Sequence, residues 1–274
     1  MYGVLLQIYD AEFTLLSIPP TLKRMAQAQF DIVIPLGPKD EDMIDRCVSS
    51  IHRHVVGFRY VFIVAKNPRD ISGALVLDES TFPFSYDEVL AKTSEKRAGW
   101  YLQQLIKLYA PLLITDIMEN VLTVDADTIF HKRTKFIESG KFLYDKTTET
   151  HAPYFEHMTR LHPSFLTWKR STSGITNVML LNKKILIELM EKVETLHEKN
   201  FWEAFLDTIT EKHGSGASEF EIYFHYIMKN KPELIRLRPL QWSNWGQRAD
   251  TKPAGDWNYV NYHHHQQRKP RTFA

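Results

Sequence analysis

Cysteine is almost absent: Cys47 is the single one in 274 residues. A disulfide within the chain is therefore excluded, a cysteine zinc site is set aside, and a reducing compartment is the default. Cys47 itself reads as a small hydrophobe on a helix. No run of 18 or more apolar residues occurs, so no transmembrane helix is expected. The first eight residues are apolar but have no basic leader and run into Asp10 and Glu12. No signal peptide is expected from that pattern, and the expected location is cytoplasmic. An excess of either charge is missing too, with 34 Lys and Arg against 33 Asp and Glu. That balance argues against a general nucleic-acid or membrane surface. Internal repeats are also lacking.

What remains is a globular composition, 43% hydrophobic and 12% aromatic. The length suits one large α/β domain or two small ones with a substantial core. Residues 1–30 form an extension of unknown role: two short apolar runs stopped by Pro19 and Pro20, then a short helix. Residues 31–36 read as a first buried strand. Gly37 and Pro38 turn the chain, and Asp40 is placed to cap a helix running to about His54. Residues 60–64 form a second strand, with Lys66 just past its end. Strand, helix and strand at this spacing predict a parallel pair.

Residues 74–77 are a short strand candidate. A helix follows from about Glu95 to Tyr109, stopped by Pro111. Its Leu102, Leu105, Ile106 and Tyr109 face the sheet. Arg97, Trp100, Gln104 and Lys107, at spacings of three and four, line up on another face. Such a row suits an anionic or sugar ligand, or is a solvated helix face. Val121, Leu122, Thr123 and Val124 then form a buried strand, followed at once by Asp125, the small Ala126 and Asp127. Ligand crevices open at the carboxyl edge of a parallel sheet. Paired carboxylates there are hard oxygen donors suited to Mg²⁺ or Mn²⁺ carrying a diphosphate, although a solvated turn has the same pattern.

Residues 147–173 read as a long loop whose Tyr154, Phe155, Phe165 and Trp168 are candidates to stack on an acceptor sugar. Residues 178–181 are a strand, and 183–194 and 201–212 are helices. Ser218 with Glu221 fits a capping box opening a further helix, which puts Glu219 at its first position, aimed out of the turn. Residues 234–237 suggest a last strand. The aromatic tail carries His263, His264 and His265.

Taken together, the strand with Ile34-Pro35-Leu36, the Trp-Tyr-Leu-Gln-Gln helix, the strand ending Val-Asp-Ala-Asp and the Ser-Gly-Ile-Thr-Asn-Val segment resemble the GT-A class of metal-dependent glycosyltransferases. The resemblance covers roughly residues 31–265. It implies one Rossmann-like α/β domain over residues 31–274 with a mostly parallel central sheet flanked by helices. Residues 31–130 would bind the nucleotide sugar, and residues 131–274 would hold the acceptor half and the tail. It further implies that Asp127 ligates Mn²⁺ or Mg²⁺, and that Asp125 binds ribose or the metal through water. The strand-end turn of Asp125, Ala126 and Asp127 would then cradle the donor, a UDP-sugar by preference. His263 or His265 would be a late metal ligand. Pro35, Leu36 and Lys66 would lie near the base and ribose, with Arg97 and Gln104 as further donor contacts. Glu219 would be the base of an inverting transfer to a hydroxyl of a glycan or other acceptor. No nucleic-acid partner is implied, and oligomerisation stays open.

Three rivals share parts of the pattern. Val-Asp-Ala-Asp-Thr also resembles haloacid-dehalogenase phosphatases, but Ile129 stands where those want Thr or Val. A sugar nucleotidyltransferase would want a Gly-rich loop after the first strand, where only Gly37 occurs. A non-catalytic carbohydrate-binding protein would not need both Asp125 and Asp127.

Overall fold

A computed structural model describes residues 28–165, 172–239, 242–245, 255–262 and, as backbone, 271–272. Residues 1–27, Trp168 and the three tail histidines lie outside the described residues. In chain order, β1 (Phe30–Leu36) leads through a 3-10 turn at Pro38–Asp40 to α1 (Ile44–His54). Then come β2 (Val55–Val56), β3 (Phe58–Ala65), β4 (Leu75–Asp78), α2 (Tyr86–Lys92) and α3 (Ala98–Leu113). β5 (Asn120–Val124) and β6 (Thr128–Phe130) flank the two aspartates. Short strands β7 (Thr134–Lys135) and β8 (Ile137–Glu138) precede β9 (Lys141–Asp145) and α4 (Ala152–Leu161). β10 (Val178–Asn182), α5 (Lys183–His197), α6 (Phe201–Asp207) and α7 (Glu219–Asn230) follow. β11 (Ile235–Arg238), β12 (Trp242–Trp245), β13 (Tyr259–Tyr262) and β14 (Arg271–Thr272) complete the set.

The central sheet has the order β10-β5-β1-β3-β4. β1, β3, β4 and β5 are parallel, and β10 runs antiparallel beside β5. This is the mostly parallel α/β sheet flanked by helices that the strand–helix alternation predicts. Every residue of β1 and of β10 is buried, as strands covered on both faces must be. Leu36 pairs with Ala65 and Ala65 with Asp78, so these strands stop together at one edge. A second sheet, β14-β12-β13-β6, grows from the same region, because only three residues separate β5 from β6. The outer main chain of β6 meets α1, where Ser50 Oγ accepts from Phe130 N at 3.0 Å.

Five local expectations give way to packing. Asp40 does not cap α1; it ends the 3-10 turn, and its carbonyl accepts from Met43 N at 3.0 Å. Pro111 lies inside α3 rather than stopping it, since a proline in the last turn forfeits one main-chain bond and the helix is buried around it. Residues 152–161 of the expected loop are α4, with Pro153 in the first turn, where its missing N–H costs nothing. Phe155 and Phe165 are buried in the core and cannot stack on a sugar. Finally, α6 ends at Asp207, well short of Lys212, and no helix among the described residues is long and apolar enough to cross a membrane.

One carboxylate pins the start of the sheet. Asp31 is fully buried and accepts from Arg59 Nε at 3.1 Å, Arg59 Nη2 at 2.7 Å, Tyr60 N at 3.0 Å and Met118 N at 2.8 Å. These bonds tie β1 to β3 and to the turn before β5. Asp31→Ala leaves two amides and a guanidinium without their acceptor, and is expected to cost about 2–4 kcal/mol in urea unfolding. A change below about 0.5 kcal/mol would contradict this account of the sheet.

Candidate functional site

α3 carries the residue that organises the site. The helix is apolar on nearly every side, and Lys107 sits between Ile106 and Leu108, 2% exposed. A buried ammonium is tolerated only when paired and hydrogen-bonded. Lys107 Nζ meets Asp125 Oδ1 at 2.5 Å and Glu219 Oε1 at 2.8 Å, and it lies 4.4 Å from the centre of the Phe220 ring. Burial opposes its charge, but Asp125 and Glu219 outweigh burial and hold its pKa above the ordinary lysine range. The Glu219 pKa is raised as well, here by burial, and Lys107 limits the rise.

Asp125 and Asp127 occupy the turn between β5 and β6, at the carboxyl edge of the central sheet. Asp127 is 6% exposed, and the Ala126 between them is buried. Both oxygens of Asp125 are engaged, Oδ1 by Lys107 and Oδ2 by Asn177 Nδ2 at 3.2 Å. The backbone of the turn is fixed as well. Asp125 N donates to Asn177 O, Thr128 N to Asp125 O, and Tyr262 N to Asp127 O, each at 3.0 Å. The Cys47 thiol, 3.9 Å from Asp125 O, is held protonated by burial and by the nearby Asp127 and Asp125 charges.

Glu219 does not point out of its turn. It is 4% exposed, and its amide donates to Gln104 Oε1 at 3.1 Å. Gln104 is equally buried, so the row on α3 is not a solvated face: its inner half, Gln104 and Lys107, is part of the site floor. The outer half, Arg97 and Trp100, is half-buried, with the guanidinium 5.2 Å from the Trp100 ring centre. The capping box is half made. Ser218 Oγ accepts from Glu221 N at 3.3 Å, but the Glu221 carboxylate turns elsewhere. It accepts from Ser173 Oγ at 2.5 Å and Gly174 N at 2.9 Å, and lies 3.1 Å from His225 Nε2. This clamps the segment that delivers Asn177. A side chain at Gly174 would put its Cβ 2.4 Å from Phe224 Cβ, so only glycine passes there.

Pro35 and Leu36 are buried at the end of β1, and Lys66 is exposed just after β3, so the three share one sheet edge with Asp125. His263 and His265 lie outside the described residues. Among the described residues, no group of three His, Cys, Asp or Glu stands ready for a metal ion. By sequence Lys107 belongs to a ligand row, and the fold makes it the counter-ion of Asp125 and Glu219. The usable signal was a lone lysine in a helix apolar on every side. By sequence Asn177 belongs to the Ser-Gly-Ile-Thr-Asn-Val segment of the resemblance but not to Asp125, which becomes its neighbour only through the β5–β10 pairing.

Removing the ammonium should expose the electrostatics. Lys107→Met leaves Asp125 and Glu219 facing each other without their shared cation, at an expected cost of about 3–5 kcal/mol at pH 7. Two carboxylates sharing a buried site raise one pKa further, and a raised carboxyl stabilises the fold only while protonated. The variant should therefore regain stability as pH falls from 7 toward about 4.5, close to the unfolded glutamate value. Urea midpoints measured across that range, and showing no recovery relative to wild type, would contradict the ion triplet.

No curated protein matches the sequence. The structure is similar to the apo crystal structure of mouse xyloside xylosyltransferase 1, at 11% identity and a TM-score of 0.44, over 85% of this chain and 97% of that one. It is also similar to the galactosyltransferase LgtC in complex with donor and acceptor sugar analogues, at 10% identity and a TM-score of 0.46, over 85% of this chain and 86% of that one. Residues 28–239 match the family of unknown function DUF6492, and the chain belongs to that family.

Proposed function

We propose that this chain is a metal-dependent glycosyltransferase of the GT-A class. It would move a sugar from a nucleotide-diphosphate donor, UDP-linked by preference, to a hydroxyl of a glycan or other acceptor. The observation that carries this reading is the pair Asp125 and Asp127 at the carboxyl edge of a parallel sheet, with Asp125 committed through both oxygens to Lys107 and Asn177. On this reading Asp127 would ligate the cation, and Asp125 would orient it through water or meet the ribose.

The residues present fit a hard divalent cation. Carboxylate oxygens are the donors Mg²⁺ and Mn²⁺ take, while phosphate oxygens and water complete the shell. Formally, the Lys107 ammonium stands against three carboxylates, Asp125, Asp127 and Glu219, and the surplus of negative charge suits a dication. When bound, the cation would neutralise charge developing on the leaving diphosphate. Pro35, Leu36 and Lys66 support a nucleoside along the same edge. His263 and His265 remain candidates to complete the ligand set.

Glu219 would accept the proton of the acceptor hydroxyl in an inverting transfer. Its 2.8 Å contact with Lys107 favours a second reading, in which Glu219 is the charge partner of Lys107 and the departing phosphate takes the proton. Glu219→Gln separates them. As base, its loss should lower the transfer rate about 10²–10⁴-fold while donor binding survives. As charge partner, transfer should persist within a few-fold of wild type.

Donor binding is checked by thermal shift with UDP-, GDP- and CMP-sugars, with and without Mn²⁺. A donor at 100 times its Kd adds about 2.7 kcal/mol. For a chain of this size that raises the midpoint by roughly 5–10 °C. Asp127→Ala is expected to abolish the Mn²⁺-dependent part of the shift, and an unchanged shift in that variant would overturn the assignment.

A further inference from the structure

Beside Asp127 lies a group of polar atoms whose hydrogen bonds are missing. Thr128 and Asn261 are both fully buried. Among the described residues, Thr128 Oγ1, Asn261 Oδ1 and Asn261 Nδ2 have no hydrogen-bond partner. Buried polar groups are nearly always satisfied, and each unsatisfied one destabilises the fold. Three on two adjacent side chains call for an explanation.

The strand register places them together. Asn261 of β13 is opposite Thr128 of β6 in an antiparallel pair. The neighbouring pair, Asp127 and Tyr262, is the hydrogen-bonded kind, since Tyr262 N donates to Asp127 O at 3.0 Å. Thr128 and Asn261 therefore form a non-hydrogen-bonded pair, the kind with the closer Cα atoms, about 4.5 Å apart. On the same face, Tyr259 reaches Thr176 Oγ1 through its hydroxyl at 2.8 Å, one residue from Asn177 and the Asp125 contact. In β12, Asn244 stands in register beside Asn261 and is half-buried, so the polar row runs outward from the aspartate turn.

Resting on the reading of the chain as a sugar-nucleotide enzyme, we propose that Thr128 and Asn261 form the subsite that recognises hydroxyl groups of the donor, on its ribose or on the transferred sugar. The open atoms choose this class. An amide with both its donor and its acceptor free, next to a hydroxyl, matches adjacent hydroxyls, each of which donates and accepts. A bare cation would satisfy the oxygens and leave Nδ2 without an acceptor. A site built to bond a hydroxyl also rejects the analogue lacking it far more strongly than an apolar pocket rejects a size change. Thr128 and Asn261 are thus specificity-determining residues whose open hydrogen bonds the donor takes up. Both are fully buried in this conformation, so donor contact requires a local opening.

The test uses Thr128→Val, which keeps shape and removes only the hydroxyl, and Asn261→Val, which suits a strand. Without ligand, both variants should melt at or above the wild-type temperature, because an unsatisfied buried polar group has been removed. Calorimetric titration in Mn²⁺ with UDP, 2′-deoxy-UDP and UDP-glucose or UDP-galactose should show donor affinity at least tenfold weaker in both variants. A loss already present with UDP and absent with 2′-deoxy-UDP places the ribose at the subsite. A loss confined to the sugar nucleotides places the transferred sugar there. Mn²⁺ affinity measured without nucleotide by electron paramagnetic resonance should be unchanged. Clear destabilisation of both variants, wild-type donor affinity, or weakened Mn²⁺ binding would each overturn the subsite while leaving the glycosyltransferase reading intact. Failure of wild-type protein to bind any sugar nucleotide would overturn both.

Discussion

One ammonium group joins the three parts of the chain that make the site. Lys107 Nζ comes from a helix packed on the sheet, Asp125 from the end of a central strand, and Glu219 from the first turn of a helix far along the sequence. Each ion alone would be prohibitively costly in that interior, and the attraction offsets desolvation only because both contacts are short and direct. Geometry is therefore tightly specified: a shift of α3 or α7 by one turn would strand a charge. The same arrangement fixes the aspartate turn. Asp125 is held by Lys107 and Asn177, and the Asp127 carbonyl by the Tyr262 amide.

A second, neutral layer of control surrounds this triplet. Glu221 was expected to finish its own helix cap, yet it spends its carboxylate on Ser173 and Gly174. Those bonds hold the segment ahead of β10, whose Asn177 then grips Asp125. Gly174 lets that segment lie against Phe224 with no room for a methyl group. α7 thus acts on the aspartate turn twice, through Glu219 from one side and through Glu221 and Asn177 from the other.

The parallel core was legible because its signals are local. Residues 31–36, 60–64 and 121–124 are apolar runs bounded by turn residues, and buried strands carry that mark whatever their neighbours. The aspartate turn could be found for the same reason. α4 was not, because His151, Pro153 and His162 suggest a loop when read singly, although Pro153 sits in a first turn and His157 is buried. Lys107, Asn177 and Asn261 were harder still. Each owes its role to a partner dozens of residues away, and no spacing rule encodes that. Asp31 shows the limit well: by sequence it opens a strand, and only the fold reveals that it is the acceptor for β3 and the turn before β5.

The bond from Tyr262 to Asp127 also orders events in time. β1, β3 and β4 pair between segments close in the chain and can associate while the rest is still being made. The aspartate turn cannot settle then, because β10 and β13, which bracket it, emerge from the ribosome much later. Loop closure of that size is slow compared with local pairing. A nascent chain thus holds β1, β3 and β4 together while the corner at the aspartates waits for the far strands to dock.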